Sequence, residues 1–277
     1  MIGIFDSGVG GYNALYVTKK LLPGEDIIYL ADSANAPYGT KSKDEVLKFT
    51  EENIKILSAR GAEKILIACC TASAIYESFA KDQIKNITKS QAPYNEVFTI
   101  TNPASAEAAK SKKIAVIATE RTVKERAFSK RIKSLNPDAE IFELPRQDLV
   151  EAVEKGLRGG NLSALCHKIT DEVCRAAVSF GADSLILGCT HFSHLEKDFK
   201  QRLPNVRIIS PARIGAEILA DKIETEYKNG IKRSAVKSGR IIYLQTRGHK
   251  TRSEKGILKW ENTEEAESTT LSRRSWQ

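Results

Sequence analysis

The chain has 277 residues, of which 41% are hydrophobic and 28% charged, the composition of an ordinary globular protein. This length exceeds that of a usual single domain, so we expect two α/β lobes. The formal net charge is +8, but the basic residues are scattered among acidic ones, without a basic stripe or an aromatic platform. This pattern argues against nucleic-acid binding and favours a basic protein that binds a dianionic metabolite.

Three further features predict a cytoplasmic protein. No apolar run approaches the roughly 18–20 residues of a membrane span. The chain opens directly into Met1-Ile-Gly-Ile-Phe5, with no basic region and no cleavage site, so we expect no signal peptide. Five cysteines, an odd number without C-x-x-C spacing, favour reduced thiols over a disulfide or zinc framework.

Short apolar runs that are typical of β-strands recur along the chain. They lie at 2–5, 27–31, 65–69, 97–101, 114–118, 140–143, 185–189, 206–209 and 241–244. Helix-length segments lie between most of them, for example Lys43–Arg60, Thr122–Ser134 and Leu162–Phe180. This alternation predicts an α/β fold with mostly parallel sheets flanked by helices.

Two stretches carry turn-forming residues where the chain is expected to cross between lobes, Ser90–Glu96 and Leu203–Val206. We therefore predict a first lobe of residues 1–95 and 208–245 and a second lobe of residues 96–207. Residues 246–277 are polar, mixed in charge and rich in Ser, Thr and Glu, so we expect a loose C-terminal tail.

A glycine-rich segment, Asp6-Ser7-Gly8-Val9-Gly10-Gly11, follows the first predicted strand. Glycines after a strand allow a tight turn and a close backbone approach to an anion at the next helix start. The spacing is neither G-x-G-x-x-G nor that of a P-loop, so a dinucleotide site is not favoured. Asp6 can orient a neighbouring thiol or amine as an acceptor, or it can cap the following helix.

Polar residues also follow other predicted strands. Pro37-Tyr38-Gly39-Thr40 comes after the second strand, where it can turn backbone N–H groups toward a cleft or form an ordinary loop. Thr119 and Thr122 come after the fifth strand, where they can bind a carboxylate or cap a helix. Of Glu151 and Glu154, at least one is expected on a solvated helix face.

Two segments match each other 120 positions apart, Gly61–Thr71 and Gly181–His191. Each runs from a Gly-Ala-acid trio through an apolar strand to a cysteine, Cys69 or Cys189. Strand carboxyl ends are where ligands bind in open α/β sheets, and a helix start stabilises a thiolate. A single buried cysteine is usually inert. Two in matched contexts indicate one site approached from two sides.

His191 lies two residues after Cys189, so it can reach the same cleft as an acid or orient the thiol. His194 is expected to pack or to face solvent. A metal site of Cys189, His191 and His194 lacks a further local ligand, so we expect no metal. Cys166 and Cys174, within a helical stretch, are expected to be core thiols.

These motifs together resemble glutamate racemase, of the aspartate/glutamate racemase superfamily, in order and spacing from residue 2 to about 215. They are Ile-Gly-Ile-Phe-Asp6-Ser7-Gly-Val-Gly-Gly, Pro37-Tyr38-Gly39-Thr40, Ala-Cys69-x-Thr71-Ala-Ser73, Ile117-Ala-Thr119-x-x-Thr122 and Gly188-Cys189-Thr190-His191. The resemblance implies two similar lobes related by a pseudo-twofold axis, with the active site in the cleft between them. It also implies cofactor-independent interconversion of L- and D-glutamate, an isomerase that supplies D-glutamate for peptidoglycan and cell shape in a bacterial cytoplasm.

The resemblance also implies roles for individual residues. Cys69 would take the α-proton from D-glutamate and Cys189 from L-glutamate, with Asp6 assisting the first thiol and His191 the second. Glu154 is a candidate for the family's additional acid. The substrate-binding residues would be Ser7, Pro37, Tyr38, Gly39, Cys70, Thr71, Thr119, Thr122 and Thr190.

The chain departs from the family pattern in three places. Cys70 stands where the family has an asparagine, and a thiol is a weaker hydrogen-bonding group than an amide. Losing a well-aimed polar contact costs about 1–3 kcal/mol. Leu144–Leu149 replaces an apolar, proline-containing stretch, where Arg146 either alters the pocket or faces solvent. Gln245–Gln277 does not resemble the family's short C-terminal helix.

These departures leave three functions open. The first is an active glutamate racemase. The second is a racemase of the same fold that acts on aspartate or a related amino acid. The third is a non-catalytic paralogue that binds an acidic metabolite or a protein partner. Whether two copies form a homodimer is also open.

Overall fold

The computed structural model describes residues 1–79, 96–159, 164–230, 239–246, 250–252, 258–260 and 263–268. Of residues 157–159 and those after 249 it describes the backbone alone. Each of the nine predicted apolar runs contributes to a strand. These are β1 (Ile2–Asp6), β2 (Ile27–Ala31), β3 (Lys64–Ile67), β4 (Glu96–Phe98), β5 (Lys113–Ala118), β6 (Glu140–Pro145), β7 (Ser184–Gly188), β8 (Arg207–Ile209) and β9 (Ile241–Thr246).

The strands form two sheets, as predicted. The first has the order β12-β9-β2-β1-β3-β4 and includes a late strand, β12 (Thr263–Ser268). The second has the order β6-β5-β7-β8. All pairs in these sheets are parallel except β12 with β9. A separate antiparallel pair joins β10 (Lys250–Arg252) to β11 (Leu258–Trp260). β1, β2 and β7 are buried throughout, because helices cover both faces of a parallel sheet.

The helices lie mainly between the strands. They are α1 (Tyr12–Leu21), α2 (Lys43–Ala59), α3 (Cys70–Phe79), α4 (Thr101–Ala108), α5 (Glu120–Lys124), α6 (Ala127–Leu135), α7 (Gln147–Gly159), α8 (Ala164–Phe180), α9 (Glu196–Arg202) and α10 (Pro211–Lys228). Two short 3₁₀ helices cover Tyr38–Thr40 and Thr190–Leu195. No helix in the described ranges is long and apolar enough to cross a membrane.

Local sequence explains several helix boundaries. A capping box starts α2, since Ser42 accepts the Glu45 N–H at 3.3 Å while the Glu45 carboxylate accepts the Ser42 N–H at 2.9 Å. Pro211 opens α10, where its missing N–H costs nothing. The predicted helix 122–134 is instead two helices, because Arg126 adopts a left-handed conformation with φ of 51° between α5 and α6.

The chain crosses between the sheets slightly later than predicted. β4 pairs with β3 in the first sheet, and β8 pairs with β7 in the second. Each crossing therefore follows a strand, at Thr99–Ile100 and at Ser210. The predicted boundary before residue 96 falls at the start of β4, and the one before residue 208 falls within β8. The predicted crossing segment 90–95 lies outside the described residues.

Part of the expected loose tail forms strands instead, within the residues that the structure describes after Thr246. β12 pairs with β9 over six residues, from Thr263 with Thr246 to Ser268 with Ile241. Backbone hydrogen bonding to an exposed strand edge requires no apolar pattern in the added strand, so the polar composition of the segment did not reveal it.

One buried hydrophobic cluster extends through both lobes. It contains Ile4 and Leu66 of the first sheet, Ile114 and Ile186 of the second, and Ile100 at the crossing between them. Its members are buried and form one continuous cluster. The lobes are thereby held so that the carboxyl ends of the strands of both sheets face each other.

Candidate functional site

The two matched cysteines lie at corresponding places in the two lobes. Cys69 follows β3, and Cys189 follows β7, with only 5% and 7% of their surfaces exposed. Asp6 ends β1, the strand beside β3, and Thr119 follows β5, the strand beside β7. The structure thus brings residues from both halves of the chain to one buried interface, where the predicted site was expected.

Asp6 connects the two lobes. Its carboxylate accepts hydrogen bonds from the Gly8 N–H at 2.9 Å and, across the interface, from the Thr190 hydroxyl at 3.1 Å. Burial raises the pKa of Asp6, while the charge of His191 and the hydrogen bonds oppose the rise without cancelling it. Asp6 is therefore placed to influence both Cys69 and Cys189.

The Cys69 thiol is in a protected, weakly polar environment. Its Sγ atom donates to Ser7 Oγ at 3.8 Å. Burial, and after it the negative charge of Asp6, raises the pKa of Cys69 to about 12. The closed interface therefore keeps this thiol protonated.

Cys189 has a different partner. Its Sγ atom lies 3.6 Å from Nδ1 of the buried His191. On the other side of the ring, Nε2 lies 3.1 Å from Glu154 Oε1, an ion-pair distance without the angle of a good hydrogen bond. Burial lowers the pKa of His191, but the contacts with Cys189 and Glu154 and the charge of Asp6 outweigh burial and raise it to about 10. The second thiol therefore faces an imidazolium.

This raised pKa predicts alkaline destabilisation. The pKa of His191 in the folded protein, about 10, lies above the ordinary histidine value of 6.5, so its contribution to stability is complete below pH 6.5 and is lost as the pH rises through 10. We expect the free energy of unfolding to fall between about pH 7 and 8.5. Ionisation of Cys69 affects the free energy of unfolding only at higher pH. Urea denaturation at several pH values measures this slope. It should be reduced in His191→Asn and retained in His167→Asn, a half-exposed histidine; equal slopes in both variants would contradict the assignment.

Three threonines join the lobes beside the thiols. Thr71 Oγ1 lies 3.1 Å from Thr119 Oγ1 and 3.2 Å from Thr122 Oγ1, and the last two oxygens are 2.9 Å apart. Thr119 also caps α5 by accepting the Thr122 N–H at 3.3 Å. Helix capping and carboxylate binding, the two roles considered for Thr119 and Thr122, are therefore compatible, since the capping hydroxyl also belongs to a polar cluster at the interface.

Two glycines allow the lobes to approach closely. A Cβ atom at Gly10 would lie 2.5 Å from Thr190 Oγ1 and 2.8 Å from His191 Nδ1. A Cβ atom at Gly39 would lie 2.6 Å from Gln147 Oε1 and 2.8 Å from Thr119 Cβ. Real Cβ contacts are longer than these distances, so only glycine fits at both positions.

Gly10→Ala is expected to lower kcat/KM for the reaction of the site at least tenfold, because the added methyl displaces Thr190 and His191 at a cost of about 1–3 kcal/mol. Gly8→Ala is the matched control from the same loop, since a Cβ atom there meets nothing within 4 Å. Steady-state kinetics of both variants, together with their thermal unfolding, measures the difference. Equal activities would show that the loop tolerates the methyl group.

The structure directs the Tyr38 hydroxyl into a buried network in the first lobe. It donates to Asp32 Oδ2 at 2.5 Å and accepts from Asn53 at 3.0 Å. Asp32 also accepts from Asn35 and from Thr246. These partners were not predicted from the sequence. The network fixes the loop that presents Gly39 to the second lobe, while Pro37 in the same loop is exposed.

Cys70 begins α3 and is 2% exposed within the core cluster shared by the lobes. Burial, and after it the charges of Cys189 and Cys69, raises its pKa well above the usual value. Its side chain lies next to Cys69 at the lobe interface, as buried as the threonines around the thiols.

The two candidate glutamates of α7 differ in burial. Glu151 is exposed, whereas Glu154, one helical turn later, is half-buried against His191. Arg146 pairs with Asp148 and with Glu172 of α8, at 2.9 and 3.0 Å.

Two further cysteines and one further histidine pack in the second lobe. Cys166 and Cys174 are buried in the core of the second lobe, as predicted. Burial lowers the pKa of His194 to about 4. Within the described residues, no group of three or more His, Cys, Asp or Glu side chains is arranged to hold a metal ion.

Comparison with known proteins identifies the family. The sequence profile of Asp/Glu/Hydantoin racemase matches residues 15–219. The chain is 32% identical over 213 residues to "Glutamate racemase 3" of Caldanaerobacter subterraneus subsp. tengcongensis, which covers 76% of this chain and 74% of that protein.

Solved structures share the fold. Glutamate racemase from Francisella tularensis in complex with D-glutamate superposes with a TM-score of 0.75 at 28% identity, covering 90% of this chain and 88% of that one. Aspartate racemase of Picrophilus torridus has a TM-score of 0.58 at 16% identity, covering 82% of this chain and 97% of that one, a likeness of fold alone. The resemblance predicted from the motifs is confirmed: the chain belongs to the Asp/Glu/hydantoin racemase family.

Proposed function

We propose that the protein racemises glutamate without a cofactor, using two thiols on opposite sides of the substrate. The observation that carries the proposal is the pair of buried cysteines at equivalent strand ends of the two lobes, each with its own polar partner. Cys69 contacts Ser7 and Cys189 contacts His191. Racemisation requires a proton to leave the α-carbon on one face and to be delivered on the other, and two opposed thiols supply both groups.

In the proposed reaction, Cys69 as thiolate removes the α-proton of D-glutamate, and the Cys189 thiol then donates a proton to the opposite face. L-glutamate reacts in the reverse sense. Asp6 assists Cys69 from the end of β1. His191, held beside Glu154, assists Cys189 and compensates negative charge near it.

The polar groups around the thiols would hold the substrate and stabilise the carbanion that forms when the proton leaves. They are the hydroxyls of Ser7, Thr71, Thr119, Thr122 and Thr190 and the backbone of the loop at Pro37, Tyr38 and Gly39. Because Tyr38 uses its hydroxyl within Asp32's network, its contribution would be through the backbone. By this proposal the enzyme supplies D-glutamate for peptidoglycan in a bacterial cytoplasm.

The experiment is α-proton exchange in deuterated water, monitored by NMR with L- and D-glutamate and with both enantiomers of aspartate. Deuterium incorporation and racemisation of glutamate would support the proposal. Exchange of aspartate but not glutamate would favour the second function left open by the sequence. A folded protein that binds glutamate but exchanges no amino acid would favour a non-catalytic paralogue.

A further inference from the structure

Gln147, the first residue of α7, has a carboxamide at the lobe interface that the mechanism above does not use. Its Oε1 atom is buried and accepts no hydrogen bond from any residue in the described part of the chain. The same atom packs against Gly39, since a Cβ there would lie 2.6 Å away, and Thr119 borders the same contact. A buried polar atom without a partner is unfavourable in a folded protein and indicates a missing one.

The position of this amide relative to the thiols indicates which part of a ligand it would meet. The thiols contact Ser7 and His191, whereas Gln147 contacts the loop at Gly39. In an amino acid whose α-carbon lies between the thiols, the side-chain carboxylate is the polar group farthest from that carbon, so it is the group expected to reach Gln147.

The chemistry of a carboxamide suits that place. The group both donates and accepts hydrogen bonds, and a half-turn about its last bond exchanges the oxygen for the NH₂ group. Turned in this way, it presents two N–H donors to a carboxylate. Gln147 also lies in Leu144–Leu149, one of the stretches in which this chain departs from the family pattern.

We propose that Gln147 is a specificity-determining residue of this chain, which hydrogen-bonds the side-chain carboxylate of the amino-acid substrate from α7. This inference rests on the proposed function. It adds a contact from the second lobe to the substrate end that the Gly39 loop approaches from the first.

Two substitutions test the proposal. Gln147→Leu removes the hydrogen bond at similar volume, and we expect the KM and the Kd for glutamate to rise about tenfold to a hundredfold, the usual range for a bond to a charged group, with kcat changed less than threefold. Gln147→Glu places a like charge beside the substrate carboxylate and should weaken binding further. Gln201→Leu, on the exposed surface of α9, is the matched control.

Calorimetric Kd values and steady-state constants together separate the outcomes. A wild type that racemises glutamate, with KM and Kd unaffected by Gln147→Leu, would overturn this proposal alone. Equal losses of kcat in Gln147→Leu and Gln147→Glu, without a change in Kd, would also overturn the proposal. Such losses would indicate that Gln147 has a packing role. A folded wild type that neither binds nor racemises glutamate would overturn this proposal and the proposed function together.

Discussion

In Cys69→Ser, racemisation of glutamate is expected to fall by a factor of about 10² to 10⁴, the contribution of a positioned acid–base group. The reason is that each thiol acts on one face of the substrate. Cys189 remains able to remove the α-proton of L-glutamate, but no thiol delivers a proton to the opposite face. Exchange of the L-glutamate α-proton with deuterated water should therefore persist, while exchange of D-glutamate is lost. Cys189→Ser should show the reverse preference.

Cys174→Ser provides the control, since Cys174 is also buried but lies in the core of the second lobe. We expect it to keep racemisation within about twofold of wild type, as conservative changes away from a site do. Proton NMR of the exchange and optical rotation for net racemisation measure the two effects separately. Loss of exchange with both enantiomers in either thiol variant would argue against the two-sided mechanism.

Asp6→Asn is expected to have the second-largest effect, a loss of about a hundredfold or more in kcat, toward the lower end of the range for acid–base groups. The substitution preserves size and the acceptor for Thr190, but removes the charge that acts on Cys69 and His191. Burial still raises the pKa of Cys69, yet without the Asp6 charge that pKa should be lower. The pH dependence of D-glutamate exchange should therefore shift to lower pH.

Thr190→Val separates the charge of Asp6 from its hydrogen bond. It removes the 3.1 Å contact across the lobes and leaves the carboxylate in place. We expect its exchange profile with D-glutamate to keep the wild-type pH dependence, whatever its rate. A shift equal to that of Asp6→Asn would mean that the contact, and not the charge, controls the thiol.

Much of the fold was predictable because buried parallel strands leave a simple signature. Runs such as 27–31 and 185–189 are short, apolar and followed by polar residues, so both the strands and the edge where they end could be located. The matched cysteines and the residues after neighbouring strands could therefore be assigned to one place without tertiary information.

Features that depend on tertiary packing escaped prediction. Nothing local to Arg126 marks the break between α5 and α6, because neither glycine nor proline stands there. Glu151 and Glu154 differ by one helical turn, and only the orientation of α7 shows that the second faces His191. That Asp32 is the partner of the Tyr38 hydroxyl could be seen only in the structure, because closeness in sequence does not fix the direction of a side chain.

The burial of both thiols has a consequence for the timing of the reaction. With 5% and 7% of their surfaces exposed, Cys69 and Cys189 could meet a substrate only if the interface around them opened and admitted water. Hydration would return the Cys69 pKa from about 12 toward that of a free thiol, so ionisation is easier in the open protein. If the interface then closed over the substrate and expelled that water, the same thiolate would become a much stronger base. Under the proposed function, such a closure would also provide the basicity needed to remove a weakly acidic α-proton.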